Sequence, residues 1–425
     1  MNNSKFGTSL VQTRYIPSNK FKTIRLSVAF AVKTDRFTAA AAGLLCKLLT
    51  RSCEKYPTHV ELSKRLNTLY GASLKGSSFK IGDVMVIKFT VEALSKRFAL
   101  EGEDMTALCG QLLKEAIFCP KVKEGVFDAE DFAVEKRQLI DTIDARINEK
   151  RSYAILKMLG CMYGDHPFGV PVNGFREDAE KLTPENVYDF WQNMIKTAPA
   201  YLSAVGEDSP ETFFEQIFDG FDGIERNAVE VTPEIAPIAK RDERYDEETM
   251  EVSQGKLVMG FATPFCTIRD DVAPLRMLVD IFGGSPYSLL FTEVREKQSL
   301  CYYCAARLDG AKGIVIVDSG VESENFDKAK TGIIAQLDAI KNGNFDDKLI
   351  EASKMGLKDT IRTAYDSTAD LEGWYLSRIF DREVITPEQF SERIDAVTRE
   401  QIIESAKGIR LDTVYLLKGN GQDDE

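Results

Sequence analysis

Gly283-Gly-Ser-Pro-Tyr-Ser-Leu-Leu-Phe-Thr-Glu-Val-Arg-Glu-Lys-Gln-Ser-Leu-Cys-Tyr302 is the stretch from which the fold is read. A helix spanning 272–282 runs into Gly283-Gly284, where glycine suits a helix C-terminus turning into the next helix. A second helix is expected over 287–297. The β-branched and aromatic residues of 299–307 and 313–319 then read as a strand pair. Ahead of this block, 256–261 reads as a strand. Behind it, helices are expected at 325–341, 346–364, 371–380, 387–394 and 398–407, and a strand at 413–417.

The first half of the chain follows the same plan. A strand (24–32) leads to a small-residue, leucine-rich helix (39–53) and a second helix (60–69) that stops at Tyr70-Gly71. Strands at 72–80 and 84–91 follow, then helices at 95–118, 127–163 (with a possible break) and 183–196, and a strand at 201–205. The two ends match best. Thr183-Pro-Glu-Asn and Thr398-Arg-Glu-Gln each start a helix with a plausible N-cap and acidic help, and each helix leads into a short apolar strand. The reading is a duplicated α+β unit. Its parts are an N-terminal domain over 1–226, an acidic, proline-containing linker over 227–248 and a C-terminal domain over 249–425.

The residue inventory excludes several functions. The chain has 425 residues, 44% of them apolar and 28% charged, the profile of an ordinary globular protein. No apolar run is long enough to span a bilayer, and residues 1–10 are polar, so the expectation is a cytoplasmic protein with no membrane span. A net charge of −13 with no basic run argues against a nucleic-acid partner. Eight cysteines without a secretory signal read as reduced thiols. Cys301-Tyr-Tyr-Cys304 has the spacing of half a zinc knuckle or of a redox pair, but lacks the second pair a structural zinc site needs. In a strand its two thiols would point to opposite faces, so they read as ordinary cysteines.

Only two histidines are present, His59 and His166. No paired-histidine helix motif is therefore possible, and each histidine reads as a surface or capping residue. There is no G-x-S-x-G elbow, no phosphate-cradling glycine loop and no dinucleotide fingerprint.

Cys53-Glu-Lys-Tyr-Pro-Thr, Leu66-Asn-Thr-Leu-Tyr-Gly-Ala, Tyr163-Gly-Asp-His-Pro-Phe-Gly and, above all, the stretch from Gly283 to Tyr302 resemble the pitrilysin/insulinase-type (inverzincin) metallopeptidases. The likeness covers essentially the whole chain. It is nearest to bacterial non-catalytic subunits that accompany an intact peptidase. The resemblance implies two LuxS/mitochondrial-processing-peptidase-like domains, each a curved sheet with helices packed on one face, facing each other across a chamber.

Active members carry H-x-x-E-H on the first long helix, with two histidines as zinc ligands and the glutamate as general base. The aligned window here is Gly43-Leu-Leu-Cys46-Lys47, and the third ligand, a glutamate, falls near Thr142. These positions hold no ligand set for zinc, so the chain alone is expected to be non-catalytic. Arg295 and Tyr302 stand where the family has an arginine and a tyrosine reaching toward the substrate. Guanidinium and phenol donors can hold a peptide carbonyl and the oxyanion formed on it. The plain alternative is that Arg295 pairs with Glu293 or Glu296 and that Tyr302 is one more strand aromatic.

The function implied is a subunit without a cofactor of its own. It would pair with an active zinc peptidase subunit of similar length and lend Arg295 and Tyr302 to a peptide or unfolded-protein substrate. The alternative is a peptide-binding or scaffold protein with no part in proteolysis.

Overall fold

The structure, a computed structural model, describes residues 10–234 and 242–419. Its first half contains β1 (Val11–Pro17), β2 (Thr23–Lys33), α1 (Arg36–Arg51), α2 (His59–Thr68), β3 (Ser73–Ile81), β4 (Val84–Leu94) and α3 (Met105–Phe118). A small hairpin, β5 (Val122–Lys123) and β6 (Val126–Phe127), precedes α4 (Ala129–Asp144), α5 (Lys150–Tyr163), α6 (Arg176–Glu180), α7 (Pro184–Thr197), β7 (Ala200–Gly206) and α8 (Glu211–Phe221). The second half runs through β8 (Arg244–Met250), β9 (Gly255–Ala262), α9 (Ala273–Val279), β10 (Tyr303–Asp309) and β11 (Ile314–Val321). It continues with α10 (Phe326–Lys341), α11 (Asp347–Arg362), α12 (Thr368–Leu376), α13 (Pro387–Ala396), α14 (Arg399–Lys407) and β12 (Arg410–Gly419).

The duplication is visible in the sheets. One five-stranded sheet has the order β1-β7-β2-β4-β3, and the other, taken from its far edge, β8-β12-β9-β11-β10. β1 lies parallel to β7 and β8 parallel to β12, while every other neighbouring pair in both sheets is antiparallel. Thr183 and Thr398 both form full capping boxes at the helices that lead into β7 and β12.

Two edge strands depart from the sequence reading. β1 was not anticipated. Residues 244–248 of the expected linker belong to β8, and residues 235–241 of that linker lie outside the described residues. The helix expected over 95–118 begins only at Met105, because Asp104 supplies its N-cap. The expected break within 127–163 falls between α4 and α5.

The chain divides into two compact units, and neither is a continuous stretch. The first combines the residues before Arg146 with Val170–Thr232 and Tyr365–Leu376. The second combines Arg146–Gly169 with Pro233–Ala364 and the residues from Ser377 onward. Each unit thus takes one helix from the other half of the sequence: α12 goes to the first unit and α5 to the second.

In the first unit Ile24, Leu26, Val28 and Phe30 of β2 point into a core shared with α1, α3 and α7. Period-two alternation sends Arg25 and Ser27 to the opposite face, where α12 crosses β2 and β7. There Glu372, 1% exposed, accepts from Arg25 Nε at 2.7 Å, Lys88 Nζ at 3.0 Å and Ser203 Oγ at 2.8 Å. In the second unit α5 lays Ala154, Ile155, Met158 and Met162 on Val258, Ile316, Tyr415 and Leu417. Arg151 of α5 donates to Asp318 of β11 and stacks 4.7 Å from the Tyr303 ring centre. The main helical layer therefore lies on one face of each sheet. In each sheet a helix from the opposite half brings a charge of opposite sign to the strands: the acid Glu372 of α12 meets Arg25 and Lys88, and the partly exposed Arg151 of α5 meets the buried Asp318.

α1 meets β3 closely because position 76 has no side chain. A Cβ on Gly76 would lie 2.4 Å from the Cys46 carbonyl oxygen. Gly76→Ala should force helix and strand apart and cost about 1–3 kcal/mol, the usual range for overpacking. Urea denaturation checks this, and an unshifted midpoint would show that α1 is free to retreat.

Candidate functional site

The residues singled out by the sequence fall in two places: the aligned metal position in the first unit and the Arg295–Tyr302 segment in the second.

The metal position lies where α1 packs on α4. The two helices meet through a ladder of side chains. Arg51 binds Asp131 at 2.7 Å and Glu135 at 2.8 Å, and one turn earlier on α1 Lys47 Nζ donates to Gln138 Oε1 at 3.4 Å. Earlier still, Gly43 faces Leu139 and the Asn173 amide: a Cβ there would lie 3.1 Å from Asn173 Oδ1 and 3.3 Å from Leu139 Cδ1. Thr142 is exposed and its hydroxyl donates to the Gln138 carbonyl at 2.7 Å. Gln138 and Thr142 are four apart and share a face of α4. Cys46 is buried in the core, and burial pushes its thiol up to about 12.

These residues do not fit a zinc ion. Gly43 offers no atom and Lys47 offers a cation. Cys46 is held protonated and turned inward, and the α4 carboxylates that meet α1, Asp131 and Glu135, are paired with Arg51, Asp131 with Lys121 as well. A hydrolytic zinc needs neutral imidazole, thiolate or carboxylate donors around an open position. Gln138 and Asn173, which close the site, were not singled out in the sequence. Gln138 could have been, since it lies one turn before Thr142.

The two histidines lie on other elements. His59 is the first residue of α2, directly after Thr58, whose capping box with Glu61 is complete. His166 accepts from the Phe168 amide at Nδ1 (3.0 Å), so its Nε2 carries the proton and faces Glu234 Oε2 at 2.7 Å.

The Arg295–Tyr302 segment is wound unusually. The helix expected over 272–282 is α-helical only to Val279 and continues as a π-turn over Asp280–Gly284. The next one is a π-helix over Leu290–Lys297 rather than an ordinary α-helix. The wide winding coincides with a close approach at Gly283, where a Cβ would lie 2.8 Å from the Ala306 backbone nitrogen of β10. π-Turns are uncommon and concentrate at functional places.

Arg295 is on this π-helix with its side chain 40% exposed, over the Phe291 ring at 4.8 Å and 3.7 Å from Glu296. Glu293 is taken by Lys297 at 2.7 Å. Tyr302 is 62% exposed, and its hydroxyl donates to Glu322 at 3.0 Å. That carboxylate raises the phenol above its ordinary range, so it is a proton-bearing donor at neutral pH. Nothing in the sequence pointed to Glu322 as its partner, because the contact depends on the β10–β11 pairing. The strand expected from Ser299 begins only at Tyr303, after a bend at Tyr302.

Among the described residues no helix is long and apolar enough to cross a membrane. Residues 181–357 match the family model described as the peptidase M16 inactive domain. The chain is 31% identical over 405 residues to a Bacillus subtilis protein named as a probable inactive metalloprotease, YmfF, with 95% of each chain covered. A conserved protein from Enterococcus faecalis, known from its crystal structure, superposes with a TM-score of 0.87 at 27% identity over 98% of each chain. A Helicobacter pylori protease structure superposes with a TM-score of 0.78 at 16% identity, over 96% of this chain and 97% of that one, a likeness of fold.

Proposed function

The chain belongs to the M16 metallopeptidase family, and from that premise we propose that it is the non-catalytic subunit of a two-chain zinc peptidase. Its partner would carry the intact H-x-x-E-H helix and the zinc. This chain would supply Arg295 and Tyr302 to a bound peptide or unfolded segment. One contrast supports the reading. The metal position is filled by Lys47 and Gln138, whereas the two donors are exposed and paired with surface carboxylates. An exposed ion pair contributes about 0–1 kcal/mol, so exchanging Glu296 for a substrate carbonyl costs Arg295 little.

A second reading rests on the same contacts seen the other way. Arg295 and Tyr302 already have partners in their own chain, as suits a peptide-holding or scaffold protein outside proteolysis. Native co-purification with metal analysis separates the two. The first reading expects a companion of similar length bearing the zinc, and this chain, once separated, to bind none tightly. Stoichiometric zinc together with proteolysis in the separated chain would remove both readings.

A further inference from the structure

The π-turn at Asp280–Gly284 buries a carboxyl that the functional reading leaves unused. Asp280 is 9% exposed and forms no ion pair among the described residues. The phenol oxygen of Tyr287, on the link to the next π-helix, lies 3.0 Å from Asp280 Oδ2 and 3.0 Å from the Ala352 carbonyl oxygen of α11. It comes this close because position 356 has no side chain: a Cβ on Gly356 would lie 2.4 Å from the Tyr287 oxygen. The fully buried Ser353 hydroxyl faces the same carboxyl outside ordinary hydrogen-bond geometry.

Proton counting decides how these contacts are satisfied. A phenol has one proton, and a backbone carbonyl can only accept. If Asp280 is ionised it takes the Tyr287 proton, and two oxygens with no proton between them face each other at Ala352. If Asp280 is protonated, it donates to Tyr287 and Tyr287 donates to Ala352, so both contacts become hydrogen bonds. In a buried place such a chain strengthens along its length, and an unmatched oxygen is costly. Burial pushes the Asp280 carboxyl up, outweighing Ser353 and Tyr287, and burial also pushes the Tyr287 phenol up, so it stays protonated. The cations on the elements packed against the turn are engaged elsewhere. Arg276 of α9 is drawn to Asp381 and Asp309, Lys354 of α11 pairs with Glu351 and Lys330 of α10 with Glu243. On the π-helix Arg295 pairs with Glu296 and Lys297 with Glu293, while β10 adds only the exposed Arg307 and the buried Cys304 thiol.

We infer that Asp280 is a proton-operated latch: with its carboxyl protonated, Asp280 and Tyr287 pin to α11 the π-wound segment that carries Arg295, and loss of the proton frees that segment to open. The proton passes to solvent, and no other covalent bond is made or broken. The sign follows from linkage. The closed form holds the proton more tightly than the open form, so closure weakens as pH rises from the open-state value, about 3.9, to the higher closed-state value, and then levels off. Each pH unit within that window changes the opening equilibrium by up to about tenfold.

Asp280→Asn is the informative variant, because its amide can donate to Tyr287 at every pH. Amide hydrogen exchange is followed on the full chain from about pH 4 to about pH 8 and corrected for the intrinsic rate. In wild type, protection over residues 280–297 should fall by up to about tenfold per pH unit in the acidic part of this range and then level. Asp280→Asn should lack this dependence, and Tyr287→Phe should be weakly protected throughout. Difference infrared spectroscopy gives an independent readout one pH unit above the ordinary aspartate value of about 3.9, where wild type should show a protonated-carboxyl band that Asp280→Asn lacks. Parallel exchange profiles in wild type and Asp280→Asn, a wild-type profile in Tyr287→Phe, or infrared spectra without that difference would each overturn the inference. Its bearing on activity rests on the Arg295 reading above; the latch itself does not. If Arg295→Ala is silent in the reconstituted complex, that reading fails while amide exchange still decides the latch.

Discussion

In a complex reconstituted with a zinc-bearing partner, Arg295→Ala is expected to lower kcat/KM for peptide cleavage by about 10²–10³-fold, the cost of removing one preorganised oxyanion donor. Tyr302→Phe removes a single hydroxyl and should fall toward the lower end of that range. The loss should appear mainly in kcat, because a donor aimed at charge formed during the reaction is worth more in the transition state than in the ground state. The physical basis is local. Arg295 gives up a 3.7 Å contact with Glu296 and Tyr302 gives up Glu322, all of them at the surface. Little of the donors' interaction with substrate is therefore cancelled by what they leave. Wild-type rates in both variants, with the complex intact by gel filtration, would favour the scaffold reading.

Glu372→Gln is expected to destabilise the first unit by about 3–5 kcal/mol, the typical cost of removing one partner from a buried ionic cluster. Arg25 and Lys88, with side chains only 13% and 14% exposed, would lose their shared counter-charge, leaving Arg25 with Glu92 alone. For a unit of this size each kcal/mol corresponds to roughly 2–4 °C in Tm, so calorimetry should resolve the change easily. Replacing all three charges together (Arg25→Met, Lys88→Met, Glu372→Leu) should recover much of the loss, since the penalty comes from unpaired charge.

The same cluster sets a pH dependence. Burial pushes the Glu372 carboxyl up, but Lys88 and Arg25 together outweigh it, and the folded-state value is depressed. A depressed carboxylate contributes fully above its unfolded value, about 4.3, and loses that contribution as pH falls through the lower folded value. Wild type should therefore lose stability more steeply than Glu372→Gln on acidification below about pH 4.3. Parallel curves for the two proteins would exclude Glu372 as the source.

Much of this architecture is legible in the residues, and what escapes has physical causes. β2, β4, β9 and β11 announce themselves because both faces are covered, which demands long apolar runs. β8 does not. Arg244-Tyr-Asp-Glu-Glu-Thr-Met is a largely exposed edge strand whose one neighbour, β12, comes from the far end of the chain. α8 is absent from the sequence reading although Phe213, Ile217 and Phe221 fall every four residues, which is helical spacing. The lack of zinc ligands could be read directly, because it depends only on which residue types occupy 43, 46, 47 and 142. The contacts that close the gap, from Gln138 and Asn173, depend on helix packing and could not be. The bend at Tyr302 interrupts a strand pattern that runs on through 299–307 in the sequence, so periodicity hid it.

The placement of α5 and α12 has an evolutionary consequence. A gene that doubled could in principle split again into two self-sufficient modules, but these copies have traded parts. A polypeptide cut at the seam would leave Val258, Ile316 and Leu417 without Met158 and Met162, and would strand Arg25 and Lys88 without Glu372. The doubling is irreversible at the level of folding, and any regulator or protease acting on this protein meets a single inheritance unit.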